Sequence, residues 1–106
     1  MSDLIHKIND IHRLDDNWNG FGADKFSYNI IHKSLDLVNY IPECACVYPV
    51  ADDSIQFEWN IANVYYEIQV YDNKYITYIQ WHNSDTEMVF VYESELHEYI
   101  NTHMKG

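Results

Sequence analysis

Lysine and arginine are scarce in this chain: six in 106 residues, against seventeen aspartates and glutamates, for a formal charge of −11. Such a balance repels nucleic acid and anionic lipid and steers basic proteins toward the surface, so the expectation is no direct nucleic-acid contact and a basic protein partner. No apolar run approaches the roughly 18 to 20 residues of a membrane span, and the opening M-S-D-L-I-H-K lacks the pattern of a secretory signal. The expectation is a cytoplasmic protein with no membrane partner. Cysteine appears only as Cys44 and Cys46. Two strand residues at i and i+2 lie about 7 Å apart, too far for an unstrained disulfide, which points to reduced thiols. Glycine appears three times, and two of the three, Gly20 and Gly22, stand inside Leu14–Ala23.

Apolar residues, by contrast, make up 47% of the chain and aromatics 16%, with ten tyrosines. That is enough to bury one core, and the length suits a single domain over residues 1–106. The acidic residues run from Asp3 to Glu98 without forming a tail, so the negative field belongs to the folded body.

The N-terminal third reads as helical. Ser2 is a cap candidate, and Leu4, Ile5, Ile8, Ile11 and His12 share one face; Ser27 is a second cap candidate, and Ile30, Ile31, Ser34, Leu35, Val38 and Ile41 form a stripe ending before Pro42. From Val47 the period changes to two, with strands expected near 46–50, 55–60, 63–71, 74–81 and 86–92. Ser94, Leu96, Glu98, Tyr99 and Ile100 suggest a closing helix. The expected fold is α+β: an antiparallel five-stranded meander packed by the N-terminal helices, with a short C-terminal helix.

Register follows from keeping apolar residues on one face. Pairing Trp59 with Val64 sets Phe57 against Tyr66 and Ile55 against Ile68. A two-residue turn at Asp72-Asn73, of a type that tolerates positive φ, sets Val70 against Tyr75, Ile68 against Thr77 and Tyr66 against Ile79. The same alternation places Met88, Phe90 and Tyr92 on that core face, covered by a helix over 28–41. The reverse face then carries Gln56, Glu58, Tyr65, Glu67, Gln69, Tyr71, Lys74, Ile76, Tyr78, Gln80, Glu87, Val89 and Val91, with Glu58 diagonal to Glu67. Tyrosines among carboxylates suit a protein contact surface. Packing of the C-terminal helix on part of this face is the competing reading.

The motif Trp18-Asn19-Gly20-Phe21-Gly22-Ala23 is not a phosphate loop: it follows a helix, lacks G-K-[ST], and carries Asp15, Asp16 and Asp24. Its expected role is structural, Gly20 and Gly22 taking positive φ and making room for Trp18 and Phe21 to fold onto the core. The motif resembles that of a set of small bacterial and phage proteins carrying W-[DN]-G-[YF]-G-A, then a helix, a proline and an E-W in a strand. Here the matching residues are Trp18 to Ala23, Ser27 to Leu37, Pro49 and Glu58-Trp59, within about residues 14 to 70. The resemblance implies a bacterial or mobile-element origin and carries no activity.

The histidine pairs His6/His12 and His97/His103 lack i, i+4 spacing, and C-A-C has no second ligand cluster, so neither a metal nor a cofactor is expected. No nucleophile signature occurs, and Glu58 with Glu67 is the one carboxylate pair that invites acid–base chemistry; the expectation is a non-enzyme. The contact residues are expected to be Glu58, Tyr65, Glu67, Tyr78 and Glu87, with Asp52 and Asp53 beside them, while Trp18, Gly20, Phe21, Gly22 and Trp59 serve the scaffold. The function expected is inhibition of a basic nucleic-acid-binding protein, in a profile similar to anti-CRISPR proteins in size, acidity and lack of enzyme motifs. An immunity protein against a basic nuclease toxin, or a homodimeric accessory subunit, are the alternatives.

Overall fold

The computed structural model describes residues 3–81, 86–91 and 93–104, with the side chains of 87, 88, 90 and 93 outside that description. The capping role expected of Ser2 and the core position expected of Tyr92 both lie outside the described residues. The protein is an α+β domain in the order α1 (Asp3–His12), α2 (Tyr28–Leu37), β1 (Cys46–Val50), β2 (Ser54–Ile61), β3 (Val64–Val70), β4 (Tyr75–Gln80), β5 (Thr86–Val91), α3 (Glu93–His103). Every pairing is antiparallel between sequence neighbours, giving the sheet order β1-β2-β3-β4-β5.

All three helices bury their apolar stripes against one face of this sheet. Leu4, Ile8 and Ile11 of α1, Ile30, Ile31 and Leu37 of α2, and Leu96 and Ile100 of α3 form one cluster with Val47, Ile55, Phe57, Trp59, Tyr66, Ile68, Val70, Tyr75, Ile79 and Val91. Ser27 caps α2 by accepting a hydrogen bond from the Ile30 amide, and the helix ends at Leu37 rather than at 41. The chain turns through Val38–Tyr40 instead, and Ile41 still reaches the core. The C-terminal helix lies beside α2: the His97 ring stacks on Tyr40 at 3.7 Å, and its Nε2 is 3.2 Å from Asp36 Oδ2. It therefore covers the core face, not the reverse one.

Two strand registers differ from expectation. Trp59 pairs with Tyr66, Phe57 with Ile68 and Ile55 with Val70, a shift of two residues. The cause is a tight turn at Ala62-Asn63, both with positive φ (51° and 67°), where a four-residue connection was expected. Paired positive φ gives the turn a twist that matches right-handed strands, at a backbone cost for a side chain such as alanine's. A shift of two leaves the faces unchanged but moves Glu58 directly opposite Glu67. Between β3 and β4, Val70 pairs with Tyr75, Ile68 with Thr77 and Tyr66 with Ile79. The Asp72-Asn73 turn itself has no positive φ. It is held from α2, where Asn29 Nδ2 donates to the Asp72 carbonyl and carboxylate, both at 2.9 Å.

In β5 the alternation is opposite to expectation. Val91 aligns with Tyr75 and Val89 with Thr77, which puts the valines in the core-side rows and sets Met88 and Phe90 beside Tyr78 and Ile76. Met88 to Val91 is an unbroken apolar run, so a period of two does not choose a face; α3 does, lining a crevice with Val89 and Val91 through Glu95, Glu98, Tyr99, Thr102 and His103.

Candidate functional site

The reverse face of the sheet is free of the described helices, and its rows follow from the pairing. One row runs Cys46, Glu58, Glu67, Tyr78; the next runs Tyr48, Gln56, Gln69, Ile76. Like charges directly opposite on an antiparallel pair destabilise it, so a pair such as Glu58 and Glu67 calls for local compensation.

Neutral donors supply it. The Tyr65 hydroxyl lies 2.7 Å from Glu58 Oε2 and 2.8 Å from Glu67 Oε1. Tyr48 donates its hydroxyl hydrogen to Glu58 Oε2 at 2.8 Å. Gln56 Nε2 donates to Glu67 Oε1 at 2.9 Å and also to the Tyr48 oxygen. Gln69 Nε2 donates to Gln56 Oε1 at 3.2 Å, extending the ladder toward Tyr71, whose hydroxyl donates to Asp52 Oδ2 at 2.9 Å. Tyr65 has one hydroxyl hydrogen and two carboxylate neighbours, so it donates to only one of them at a time. Among the described residues the ion pairs are Arg13 with Asp10 and His97 with Asp36, and neither involves Glu58 or Glu67.

The tyrosines register this environment. Burial, then the hydrogen bond and charge of Glu58, pushes the Tyr48 phenol from 10.0 up to about 12. Burial, then hydrogen bonds to Glu58 and Glu67, pushes Tyr65 well above the ordinary phenol range. Tyr71 is raised by burial and then by Asp52. Because the folded state holds phenol protons that the unfolded chain releases above 10, these groups stabilise the fold fully below pH 10. That contribution drains as pH rises through 12. Denaturant melts should therefore lose stability from about pH 10 upward. In an absorbance titration of tyrosinate, Tyr48 and Tyr65 should ionise late, and Glu58→Gln with Glu67→Gln should bring part of that late phase to lower pH. An unchanged titration in the double variant would dissociate the phenols from the carboxylates.

Glu58, Tyr65 and Glu67 are thus brought into one contact, and Tyr78 adjoins them with its ring edge-on to Tyr65 at 6.1 Å. Asp52 joins the far end of the ladder through Tyr71, and also accepts from Ser54. Asp53 does not join: it is exposed in the β1–β2 turn at φ 66°. Glu87 pairs with Ile79 in the β5 register, and its side chain lies outside those described. Tyr48 is the member that sequence reasoning missed. Pairing β1 with β2 reveals it, since Tyr48 then falls opposite Gln56.

The glycine-bearing segment is a second feature. Trp18 is half-buried, packs on the core, lies 5.8 Å from Phe26 and donates Nε1 to the Asp24 carbonyl at 3.0 Å. Phe21, expected on the core, is 92% exposed. Gly20 and Gly22 do take positive φ (77° and 87°), but a Cβ at either would meet nothing within 4 Å. They serve the backbone path, not the room for a ring. Trp59 keeps the structural position expected of it, 3% exposed and stacked on Tyr66.

Among the described residues no group of three or more His, Cys, Asp or Glu is placed to hold a metal, and no helix is long and apolar enough to cross a membrane. Comparison with family models, with characterised proteins and with solved structures finds no match to this chain, so the reading of the site rests on its own geometry.

Proposed function

We propose that the open sheet face is a docking surface for a basic protein, and that the chain acts by occluding that protein's nucleic-acid-binding surface. The observation that carries this reading is the Glu58–Tyr65–Glu67 contact: two directly opposed carboxylates that share the single hydroxyl hydrogen of Tyr65, are otherwise met only by the neutral donors Tyr48 and Gln56, and have no ion pair among the described residues. An incoming lysine or arginine supplies the positive charge and relieves the repulsion, while the tyrosine rings provide contact area at low entropic cost. The charge of −11 speeds the encounter, and the carboxylates take the place of phosphates on the target. A nucleic-acid-dependent bacterial defence effector is the target class that best suits this profile, an anti-CRISPR-like role in keeping with the phage-protein resemblance of Trp18–Ala23.

The test is affinity capture from a bacterial lysate with wild-type protein and with Glu58→Gln/Glu67→Gln. Capture of a nucleic-acid-binding protein should fall about tenfold or more in the variant, should weaken at raised salt, and should be competed by duplex DNA. The same variant should be slightly more stable in urea, by about 0.2–1 kcal/mol, because the like-charge pair is gone. Capture that ignores both the substitutions and the salt would sink the acidic-face mechanism. A captured nuclease toxin would make the chain an immunity protein by the same physical means, and self-capture through this face would make it a homodimer.

A further inference from the structure

We propose that Phe21 is a preorganised hydrophobic anchor that enters an apolar, basic-rimmed pocket on a protein partner. The inference is independent of the sheet-face reading, because it rests on a different element. Phe21 is the most exposed large apolar side chain among the described residues, at 92%, and it stands at the tip of a loop whose order does not come from its own ring.

That order comes from side chains around it. Asn19 Oδ1 accepts from the Phe21 amide at 2.8 Å and from the Ala23 amide at 3.2 Å. Asn17 Oδ1 accepts from the Gly22 amide at 2.7 Å, and the Asn17 amide donates to the Ala23 carbonyl at 2.6 Å. Asp16 Oδ1 accepts from the Lys25 amide at 2.9 Å, closing the base of the loop. Positive φ at Asn17, Gly20 and Gly22 turns the chain so that the ring faces outward, while Trp18 and Phe26 seat the base on the core. A tip already held in one conformation loses little freedom on binding, the condition under which a single aromatic makes a strong anchor.

The surroundings select the partner. Asp15, Asp16 and Asp24 are exposed along the loop and its base, and although Lys25 lies among them and Lys74 lines the crevice that Asp24 and Lys25 share, Asp52, Asp53 and Asp72 line it too and keep the surroundings acidic. That collar is the wrong sign for nucleic-acid phosphates or an anionic bilayer, into which an exposed phenylalanine would otherwise insert. It also disfavours a second copy of this acidic chain. A protein pocket with apolar walls and a lysine- or arginine-bearing rim matches both the ring and its collar.

The test places the photoreactive side chain benzoylphenylalanine at position 21, and in separate proteins at Tyr65 and Lys7, in bacterial lysate. The expected result is an adduct at position 21 to a protein peptide carrying apolar residues next to lysine or arginine. Unlabelled wild-type protein should abolish it, and Phe21→Ala should compete about tenfold or more weakly while melting at the wild-type temperature. The proposal is overturned by no adduct at 21, by adducts to lipid, nucleic acid or a second copy, by equal yield at Lys7, or by Phe21→Ala competing as well as wild type. The Tyr65 adduct reports the sheet face separately: Tyr65 labelling without Phe21 labelling removes the anchor and leaves the docking surface, and the reverse outcome does the opposite.

Discussion

Replacing Phe57 with alanine lowers the stability of the protein by about 3–5 kcal/mol. Phe57 is fully buried on β2, between its cross-strand neighbours Val47 and Ile68, in the cluster that all three helices share. Truncation removes the transfer free energy of the ring and leaves a cavity that a sheet paired on both sides collapses into poorly. A domain of this size has only about 5–15 kcal/mol of stability to lose, so the variant should melt far below wild type and sit close to unfolding at 37 °C. Urea denaturation followed by tryptophan fluorescence measures the loss. A change under about 1 kcal/mol would mean that the helices do not close over this face as described.

Trp18→Ala should cost about 2–3 kcal/mol, less than a fully buried tryptophan because the ring is half-exposed. It would remove the contact with Phe26 and the hydrogen bond to the Asp24 carbonyl, so the loop from Asp16 to Lys25 would lose its seat on the core. The comparison with Phe21→Ala is the informative one, since that ring is almost wholly exposed and its removal should leave stability unchanged. Two aromatics three positions apart in one motif therefore divide the work: one anchors the scaffold, the other faces outward. Thermal melts of the two variants side by side check this. Equal losses would place Phe21 in the core after all.

Some of this was legible in the residues. Ser27 with the Ile30, Ile31, Ser34 stripe identifies α2 because capping and a 3.6-residue period are local properties. Strict alternation along Ile55, Phe57, Trp59 and along Tyr66, Ile68, Val70 identifies which side of β2 and β3 is apolar. That assignment survives a two-residue register error because the strand period is two. It fails in Met88–Val91, where four apolar residues in a row carry no alternation. It fails again at Phe21, where an aromatic beside glycines reads as core until the hydrogen bonds of Asn17 and Asn19 turn the ring outward.

By itself the amino-acid sequence determined the α+β order, the apolar side of the central strands, and the surplus of anionic groups over cations, because each depends on composition or on neighbours a few positions away. Only the tertiary structure decided that Glu58 faces Glu67 across a shared Tyr65 hydroxyl and that α3 leaves this face open. The first hangs on the turn at Ala62-Asn63, where alanine takes a positive φ that its side chain disfavours, so residue preference does not announce the register. The second hangs on the packing of His97 against Tyr40 and Asp36, residues far apart in the chain that no local pattern brings together.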